Sequence, residues 1–212
     1  MKLLPTVRAA MVSDSLDLVG IRTNVMDSSI KPLRRGMKLS GYAATIEFVP
    51  SSDYDSKDPY GDAIDYLDSL KKGEVAVVAT GRSQKSAFWG ELFSTAAKKN
   101  GAKGVVCDGP LRDVNEILET GFTAFGDSSL PFDYKGRMRV KSVRGSVLCG
   151  GVEVNPGDFI IGDIDGVVVV PAQVIPEVFK AANERASGEN KVLKDLKKGM
   201  SVRAAWDKHH IL

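Results

Sequence analysis

The sequence predicts a mixed α/β fold, and three features of the 212-residue chain lead to that prediction. Residues 74–121 alternate short apolar runs with amphipathic stretches, which is typical of strands joined by helices. Residues 139–170 consist mainly of apolar runs separated by turn residues, a pattern of β-structure. From Pro176 the pattern becomes helical. Together these stretches predict mixed sheets with flanking helices.

The central stretch defines its elements most clearly. Glu74–Ala79 is a short apolar run that suits a buried strand, and the polar residues 80–86 form a loop after it. A helix follows, and Asn100 with Gly101 ends it. The residues expected on its inward face are Leu92, Phe93, Ala96 and Ala97.

A second strand and a second helix complete this stretch. Gly104–Cys107 predicts a strand, and Asp113 precedes a helix that Gly121 ends. The residues expected on the inward face of this helix are Val114, Ile117 and Leu118. Gly90 and Arg112–Asp113 therefore lie at the ends of elements, where side chains converge on a ligand.

The second half is expected to contain four strands: Arg139–Leu148, Val152–Val154, Phe159–Ile161 and Val167–Val170. Asn155–Asp158 forms a turn. Asp163–Gly166 alternates acidic residues before a glycine, but it lacks the remaining ligands of a calcium loop and is interpreted as a turn. The C-terminal stretch predicts two helical segments separated by Ser187–Gly188, then a short helix that begins at Ser201.

Composition and charge are typical of a cytoplasmic enzyme domain. A chain of 212 residues suits one domain or two small ones. The net charge of +2 gives no electrostatic reason to expect a nucleic acid or a membrane surface as partner, and no apolar run is long enough to span a bilayer. Cys107 and Cys149 lie in apolar, strand-like contexts, which favours buried free thiols and a reducing compartment.

The histidines restrict the chemistry. His209 and His210, side by side near the C-terminus, are the two histidines of the chain. No internal histidine can act as a base or bind zinc, which argues against Ser-His-Asp, Cys-His and His-ligated zinc enzymes. Acid–base work therefore falls to carboxylates, arginine, lysine or metal-bound water, and a magnesium-type site with few protein ligands fits that restriction.

The most informative motif joins Gly90–Phe93 to Arg112, Asp113 and Glu116. Arginine and helix-start amides bind a carboxylate, and aspartate offers a hard oxygen to a divalent metal. These groups suit a small 2-oxo acid held against a metal. The same residues have a simpler interpretation, because Asp113-x-x-Glu116 is also a capping-box pattern and Arg112 could pair with a surface carboxylate.

The chain also resembles the RraA-like family, which contains the class II 4-hydroxy-4-methyl-2-oxoglutarate aldolases and the regulators of ribonuclease activity A. The matching stretches are Val12–Leu16, Ile30–Leu33, Gly41–Thr45, Gly90–Glu116, Asn155–Asp158, Gly162–Pro171 and Trp206–Leu212. The resemblance implies a swivelling β/β/α fold and a homotrimer or hexamer. It implies a single domain over residues 1–212, whose C-terminal helices (about 176–212) pack on a neighbouring subunit.

The resemblance implies a role for each residue of the motif. The groups that line the 2-oxo acid are those of Gly90, Glu91, Leu92 and Phe93. Arg112 binds the substrate and stabilises negative charge on its oxygen, and Asp113 holds Mg²⁺ or Mn²⁺ partly through water. The metal draws electron density from the oxo group. Cleavage of the neighbouring C–C bond then leaves a pyruvate enolate, an intermediate that aldol cleavage shares with oxaloacetate decarboxylation.

Two further carboxylate positions are weaker candidates. Asp14 matches a site-proximal acid of the family, but it could equally cap the first helix. Glu189, or in its place Glu184, matches an acid that the aldolases supply from a neighbouring subunit, but a plain exposed helix charge is the better explanation for either one. Glu91 stands where the family often has aspartate, and the longer carboxylate would shift a bound water.

Two alternatives to the aldolase remain open. The first is a non-catalytic regulator that binds and inhibits ribonuclease E; such regulators share Arg112 and Asp113 but tend to lack the carboxylate at the position of Glu116. The second is a related metal-dependent lyase or decarboxylase that acts on another hydroxy-oxo acid. Loops 50–62 and 80–89 would set the specificity for the distal half of the substrate, and their sequences carry no readable code.

Overall fold

The computed structural model describes residues 2–211. The helices are α1 Ala9–Leu18, α2 Gly61–Ser69, α3 Glu91–Lys99, α4 Val114–Thr120, α5 Ile175–Lys197 and α6 Val202–His209. The strands are β1 Lys31–Pro32, β2 Leu39–Pro50, β3 Glu74–Ala79, β4 Gly104–Cys107, β5 Ala124–Gly126, β6 Met138–Val143, β7 Val147–Cys149, β8 Val152–Val154, β9 Phe159–Asp163 and β10 Gly166–Val170. The chain is thus α/β, as the sequence predicts.

One large mixed sheet organises the structure. Its strands follow the order β1-β5-β4-β3-β2-β9-β10, and β6 pairs with β2 outside that path. Strands β2, β3, β4 and β5 are mutually parallel neighbours. Their carboxyl ends therefore lie at one edge of the sheet, and the segments 51–60, 80–90, 108–113 and 127–137 all leave from that edge. The predicted strands Glu74–Ala79 and Gly104–Cys107 and the predicted loop 80–86 are confirmed.

The faces of the sheet are buried by different partners. Val75 and Val77 of β3 pack against the β7–β8 hairpin, while Ala76 and Val78 face the helices α2, α3 and α4. A third cluster joins α1 and α5 to β9 and β10. Cys107 and Cys149 are buried free thiols, as expected, and burial raises the pKa of both well above the ordinary thiol value.

The predicted strand Arg139–Leu148 is wrong in one respect, because the structure divides it into β6 and β7. The break falls at Arg144, whose backbone φ is 55°. The guanidinium group explains the break, since it donates to both carboxylate oxygens of Glu74 at 2.9 and 3.0 Å and to the Ser69 carbonyl at 2.7 Å. The turn at Asp163–Gly166 is confirmed, and it joins β9 to β10 in an antiparallel pair.

The predicted break at Ser187–Gly188 is also wrong, because α5 continues through it to Lys197. The glycine serves packing, since a Cβ at Gly188 would lie 2.2 Å from Ile211 Cδ1. The Ser187 hydroxyl donates to the Asn183 carbonyl at 2.9 Å, so it bonds back into the helix instead of ending it. The predicted start of the last helix is confirmed, because Ser201 Oγ accepts from the amide of Ala204 at 3.2 Å.

The predicted inward face of helix α3 is confirmed at Ala97, which is buried, and at Phe93, which packs half-buried against the core, but it is wrong at Leu92. Leu92 is 76% exposed. Ser94 is also buried, and its Oγ accepts from the indole N–H of Trp89 at 2.9 Å. Among residues 2–211, no helix is long and apolar enough to cross a membrane.

Candidate active site at the carboxyl edge of the parallel strands

A cavity of about 370 Å³, counting its open mouth, lies at the carboxyl edge of the four parallel strands. All four loops contribute to its lining, which consists of Tyr60, Ala87, Phe88, Trp89, Gly90, Leu92, Phe93, Arg112, Asp113, Asp133 and Tyr134. In open α/β sheets, this edge is where ligands bind. The predicted substrate residues Gly90, Leu92 and Phe93 and the predicted pair Arg112–Asp113 thus meet in one place.

The loops are held in register by backbone pairing beyond the strands. Trp89 forms a parallel bridge with Leu111, and Leu111 forms another with Ser129. The amide of Arg112 donates to the Trp89 carbonyl at 2.9 Å. The start of α3 and the start of α4 are therefore fixed relative to each other, which brings Gly90 against Arg112.

Gly90 is the residue before α3, and the space around it admits no side chain. A Cβ at this position would lie 2.5 Å from Asp113 Oδ2 and 3.1 Å from Arg112 Cγ. The backbone is extended, with φ −145° and ψ −165°, so conformation alone does not require glycine here. Glycine is required by the close approach of the carboxylate and the arginine.

Asp113 does not form the predicted capping box. Its backbone is left-handed, with φ 55° and ψ 44°, and its side chain makes no capping hydrogen bond to α4. Its Oδ2 instead accepts from the amide of Glu91 at 3.3 Å, at the first residue of α3. The capping interpretation of Asp113-x-x-Glu116 is therefore wrong, and the carboxylate is directed to the cavity side of the neighbouring helix.

Arg112 lies between two carboxylates without bonding tightly to either. Its Nε is 3.6 Å from Asp113 Oδ2, and its Nη1 is 3.9 Å from Asp133 Oδ1. Both separations exceed hydrogen-bond length, so the guanidinium donors remain available to a ligand. Asp133 itself accepts a short hydrogen bond from the Tyr60 hydroxyl. That bond, together with burial, raises the pKa of Tyr60.

The sequence interpretation did not include Tyr60, Asp133 and Tyr134, although all three line the cavity. Tyr60 ends the loop after β2, and the other two lie in the loop after β5. Neither loop has a hydrophobic period or a motif. A usable signal was the order of parallel strands, since each strand of such a sheet delivers a loop to the same edge.

Two predicted residues, Glu91 and Glu116, are exposed on the first turns of α3 and α4. Asp14 lies within α1, which begins at Ala9, so the suggestion that it caps this helix is wrong. Its carboxylate pairs with Arg185 at 2.8 Å.

The suggested inter-subunit acids lie on α5, outside the cavity lining. Glu189 pairs with Arg8 at 2.6 Å and with Arg185 at 3.1 Å, whereas Glu184 is an exposed residue. Within this chain, Glu189 therefore contributes to the α1–α5 interface. The catalytic role suggested for it remains a prediction.

The donor set suits a metal that keeps most of its water. Within residues 2–211 there is no cluster of three or more His, Cys, Asp or Glu side chains that could enclose a cation. Asp113 is 42% exposed beside the cavity, so a hydrated divalent ion can reach its carboxylate. Mg²⁺ is characteristically bound through one or two carboxylates and several waters, and the residues present fit that mode.

The sequence profile of the RraA-like family (Aldolase/RraA) matches residues 9–169, which include the cavity residues and the parallel strands. The protein DlpA of Legionella pneumophila is 33% identical over 170 residues, covering 80% of this chain. This chain corresponds to 27% of the length of DlpA. A protein of Halalkalibacterium halodurans named "Putative 4-hydroxy-4-methyl-2-oxoglutarate aldolase" is 29% identical over 207 residues, covering 96% of this chain and 91% of that protein.

Solved structures show the same architecture. An uncharacterised protein from Pseudomonas syringae has a TM-score of 0.83 at 26% identity, covering 94% of this chain and 92% of its own. RraAS2 of Streptomyces coelicolor, an unusual member of the RNase ES inhibitor RraA protein family, has a TM-score of 0.81 at 27% identity, covering 89% and 93%. The fold is therefore the predicted swivelling β/β/α fold, and the chain belongs to the RraA-like family.

Proposed function

We propose that this protein is a divalent-metal-dependent aldolase that cleaves 4-hydroxy-4-methyl-2-oxoglutarate or a similar 4-hydroxy-2-oxo acid to pyruvate, and that it also decarboxylates oxaloacetate. The observation that carries the proposal is the convergence of Gly90, Arg112 and Asp113 at the cavity. The Arg112 side chain and the Asp113 carboxylate approach Gly90 so closely that a Cβ there would not fit.

Arg112 and two helix starts offer hydrogen-bond donors to an anionic ligand, and they lie beside the carboxylates of Asp113 and Asp133. The planar guanidinium of Arg112 can donate a bidentate pair of hydrogen bonds to a carboxylate or an enolate. Helices α2 and α3 both start at the cavity, with Tyr60 and Gly90 as the residues before their first turns. The first amides of a helix have no acceptor within the helix, and the dipole there favours negative charge.

The residues divide the work of cleavage between them. Arg112 holds the acid and stabilises the negative charge that develops on its oxo oxygen as the C–C bond breaks. Asp113, with its Oδ2 fixed by the Glu91 amide, would hold Mg²⁺ or Mn²⁺. When bound, the metal supplies Lewis-acid polarisation of the oxo group. Glu116, one turn further along α4, would orient water around that ion.

Pyruvate release from a panel of 4-hydroxy-2-oxo acids, measured with Mg²⁺ and again with excess chelator, tests the proposal. We expect release in Mg²⁺, loss of it in chelator, and loss of it in Asp113→Asn. Asp207→Asn is the matched control, because Asp207 is an exposed aspartate paired with Arg203 on α6, and it should behave as the parent. If no acid releases pyruvate and the protein binds ribonuclease E tightly, the aldolase proposal is wrong and the regulator is the function.

The proposal extends to assembly and location. We propose a homotrimer or hexamer in the cytoplasm, in which a neighbouring subunit contributes Glu189 or Glu184 to the site. Light scattering of the purified protein gives the oligomer mass directly. A monomer that retains full aldolase activity would remove the inter-subunit acid from the mechanism.

A further inference from the structure

Tyr134 lines the cavity, and its hydroxyl group is buried without a hydrogen-bond partner among the described residues. The whole residue is 3% exposed. Buried polar groups are nearly always paired, because an unpaired one loses its bonds to water and gains nothing in return. An unpaired hydroxyl on a residue that lines a cavity therefore points to a partner that comes from the ligand.

The neighbouring tyrosines show how different this arrangement is. The Tyr60 hydroxyl, on the same cavity, is bonded to Asp133. The Tyr66 hydroxyl, fully buried in the core, donates to the Ala44 carbonyl at 2.7 Å. Both groups are committed within the protein, whereas the Tyr134 hydroxyl is not.

The ring of Tyr134 is held in a fixed position. It packs edge-on against Phe48 at 5.0 Å and against Tyr60 at 5.4 Å between ring centres. A donor that is locked before the ligand arrives loses little conformational freedom on binding. Burial, reinforced by the negative charge of Asp133, raises the pKa of Tyr134, so the group is a neutral O–H at physiological pH.

We propose that the Tyr134 hydroxyl is a ligand-binding group that donates a hydrogen bond to an oxygen of the small acid held by Arg112. The inference rests on the proposed function, because it takes a 2-oxo acid or its enolate as the ligand. Arg112 would supply the charge, and the buried hydroxyl of Tyr134 would supply a neutral donor. A ligand without an acceptor oxygen at that position leaves the hydroxyl unpaired and binds less tightly.

Binding of oxalate, a planar stand-in for the enolate, tests the proposal in the presence of Mg²⁺. Isothermal calorimetry of the parent and of Tyr134→Phe should show at least about a fivefold loss of affinity in the variant, in line with one lost hydrogen bond. The melting temperature should stay the same or rise, because the substitution removes a buried hydroxyl that has no partner within the protein. If Tyr134 has only a structural role, Tyr134→Phe should lower the melting temperature and leave the oxalate affinity unchanged.

Two variants serve as controls. Tyr66→Phe removes a paired hydroxyl outside the cavity lining, so it should lower the melting temperature and leave oxalate affinity unchanged. Ser86→Ala removes another buried hydroxyl that has no partner among the described residues and that also lies outside the lining. It should lower neither the melting temperature nor the oxalate affinity.

The outcomes separate this inference from the proposed function. Equal oxalate affinity in parent and Tyr134→Phe overturns the inference while pyruvate release by the parent still supports the aldolase. A Tyr134-dependent affinity in a protein that releases no pyruvate keeps the binding group and removes the aldolase. Absence of oxalate binding by the parent overturns the inference directly.

Discussion

Replacing Gly90 by alanine tests whether the close contact at the cavity serves activity or only packing. The new Cβ would lie 2.5 Å from Asp113 Oδ2. An unstrained contact needs about 3.5 Å, so the carboxylate must retreat by roughly 1 Å. Displacement of a reacting group by about 1 Å costs as much as 100-fold in rate, and we expect kcat/KM for pyruvate release to fall between about 10- and 100-fold.

Stability should respond far less than activity. The backbone at Gly90 is extended and accessible to alanine, and the atom that must move is the end of the Asp113 side chain. We therefore expect the free energy of unfolding to change by less than about 1 kcal/mol. Gly145→Ala is the matched control, because its nearest neighbour, Ser142 Oγ, is 3.7 Å from the added Cβ. Parental kcat/KM in Gly90→Ala would refute the assignment of the site to this contact.

Four further predictions follow from individual side chains. Asp113→Asn should stay folded and lose nearly all metal-dependent pyruvate release. Equal activity in the variant and the parent, or full activity of the parent in excess chelator, would contradict this. Arg112→Lys should lower kcat/KM by at least about tenfold, roughly 1.4 kcal/mol of transition-state stabilisation, because a point charge cannot replace the planar fork. The parent should decarboxylate oxaloacetate faster than Mg²⁺ alone, and Glu116→Ala should reduce that rate while the free energy of unfolding stays within about 0.5 kcal/mol, since no capping box forms. The hydrogen bond from Lys208 lowers the pKa of Asp195 from 3.8 to about 2, so its stabilising contribution is present above pH 3.8 and is lost as the pH falls through 2. Urea unfolding of the parent and of Asp195→Asn should differ at neutral pH and converge toward pH 2, and a constant difference would refute the assignment.

The sequence predicts correctly those elements whose ends are determined by neighbouring residues. β3 and β4 are apolar runs bounded by polar loops, and α4 ends at Gly121, which adopts φ 69°. These features depend on neighbours within a few residues. Burial on both faces requires an apolar run, and a left-handed helix terminus favours glycine, so both can be recognised from the sequence.

The errors arise where a distant contact overrides a local preference. Gly188 usually signals a helix break, yet in this fold it makes room for Ile211 and the helix continues. Asp113-x-x-Glu116 usually signals a capping box, yet Oδ2 of the aspartate bonds to the Glu91 amide on another helix. In both cases the deciding atom lies more than 20 residues away in sequence, so no local pattern can reveal it.

The composition of the site follows from strand direction. Four parallel neighbours place their carboxyl ends together, so the loops after β2, β3, β4 and β5 must meet at one edge whatever their sequences are. Arg112 and Asp113 belong to a motif that sequence comparison can detect. Asp133 and Tyr134 belong to a loop without a motif, and they reach the same cavity because β5 continues the parallel order. Arg112 and Asp113 are therefore accompanied at the cavity by residues that only the topology can identify. In the proposed aldolase, the loops without a motif would set the specificity for the acid without disturbing the arginine and the aspartate.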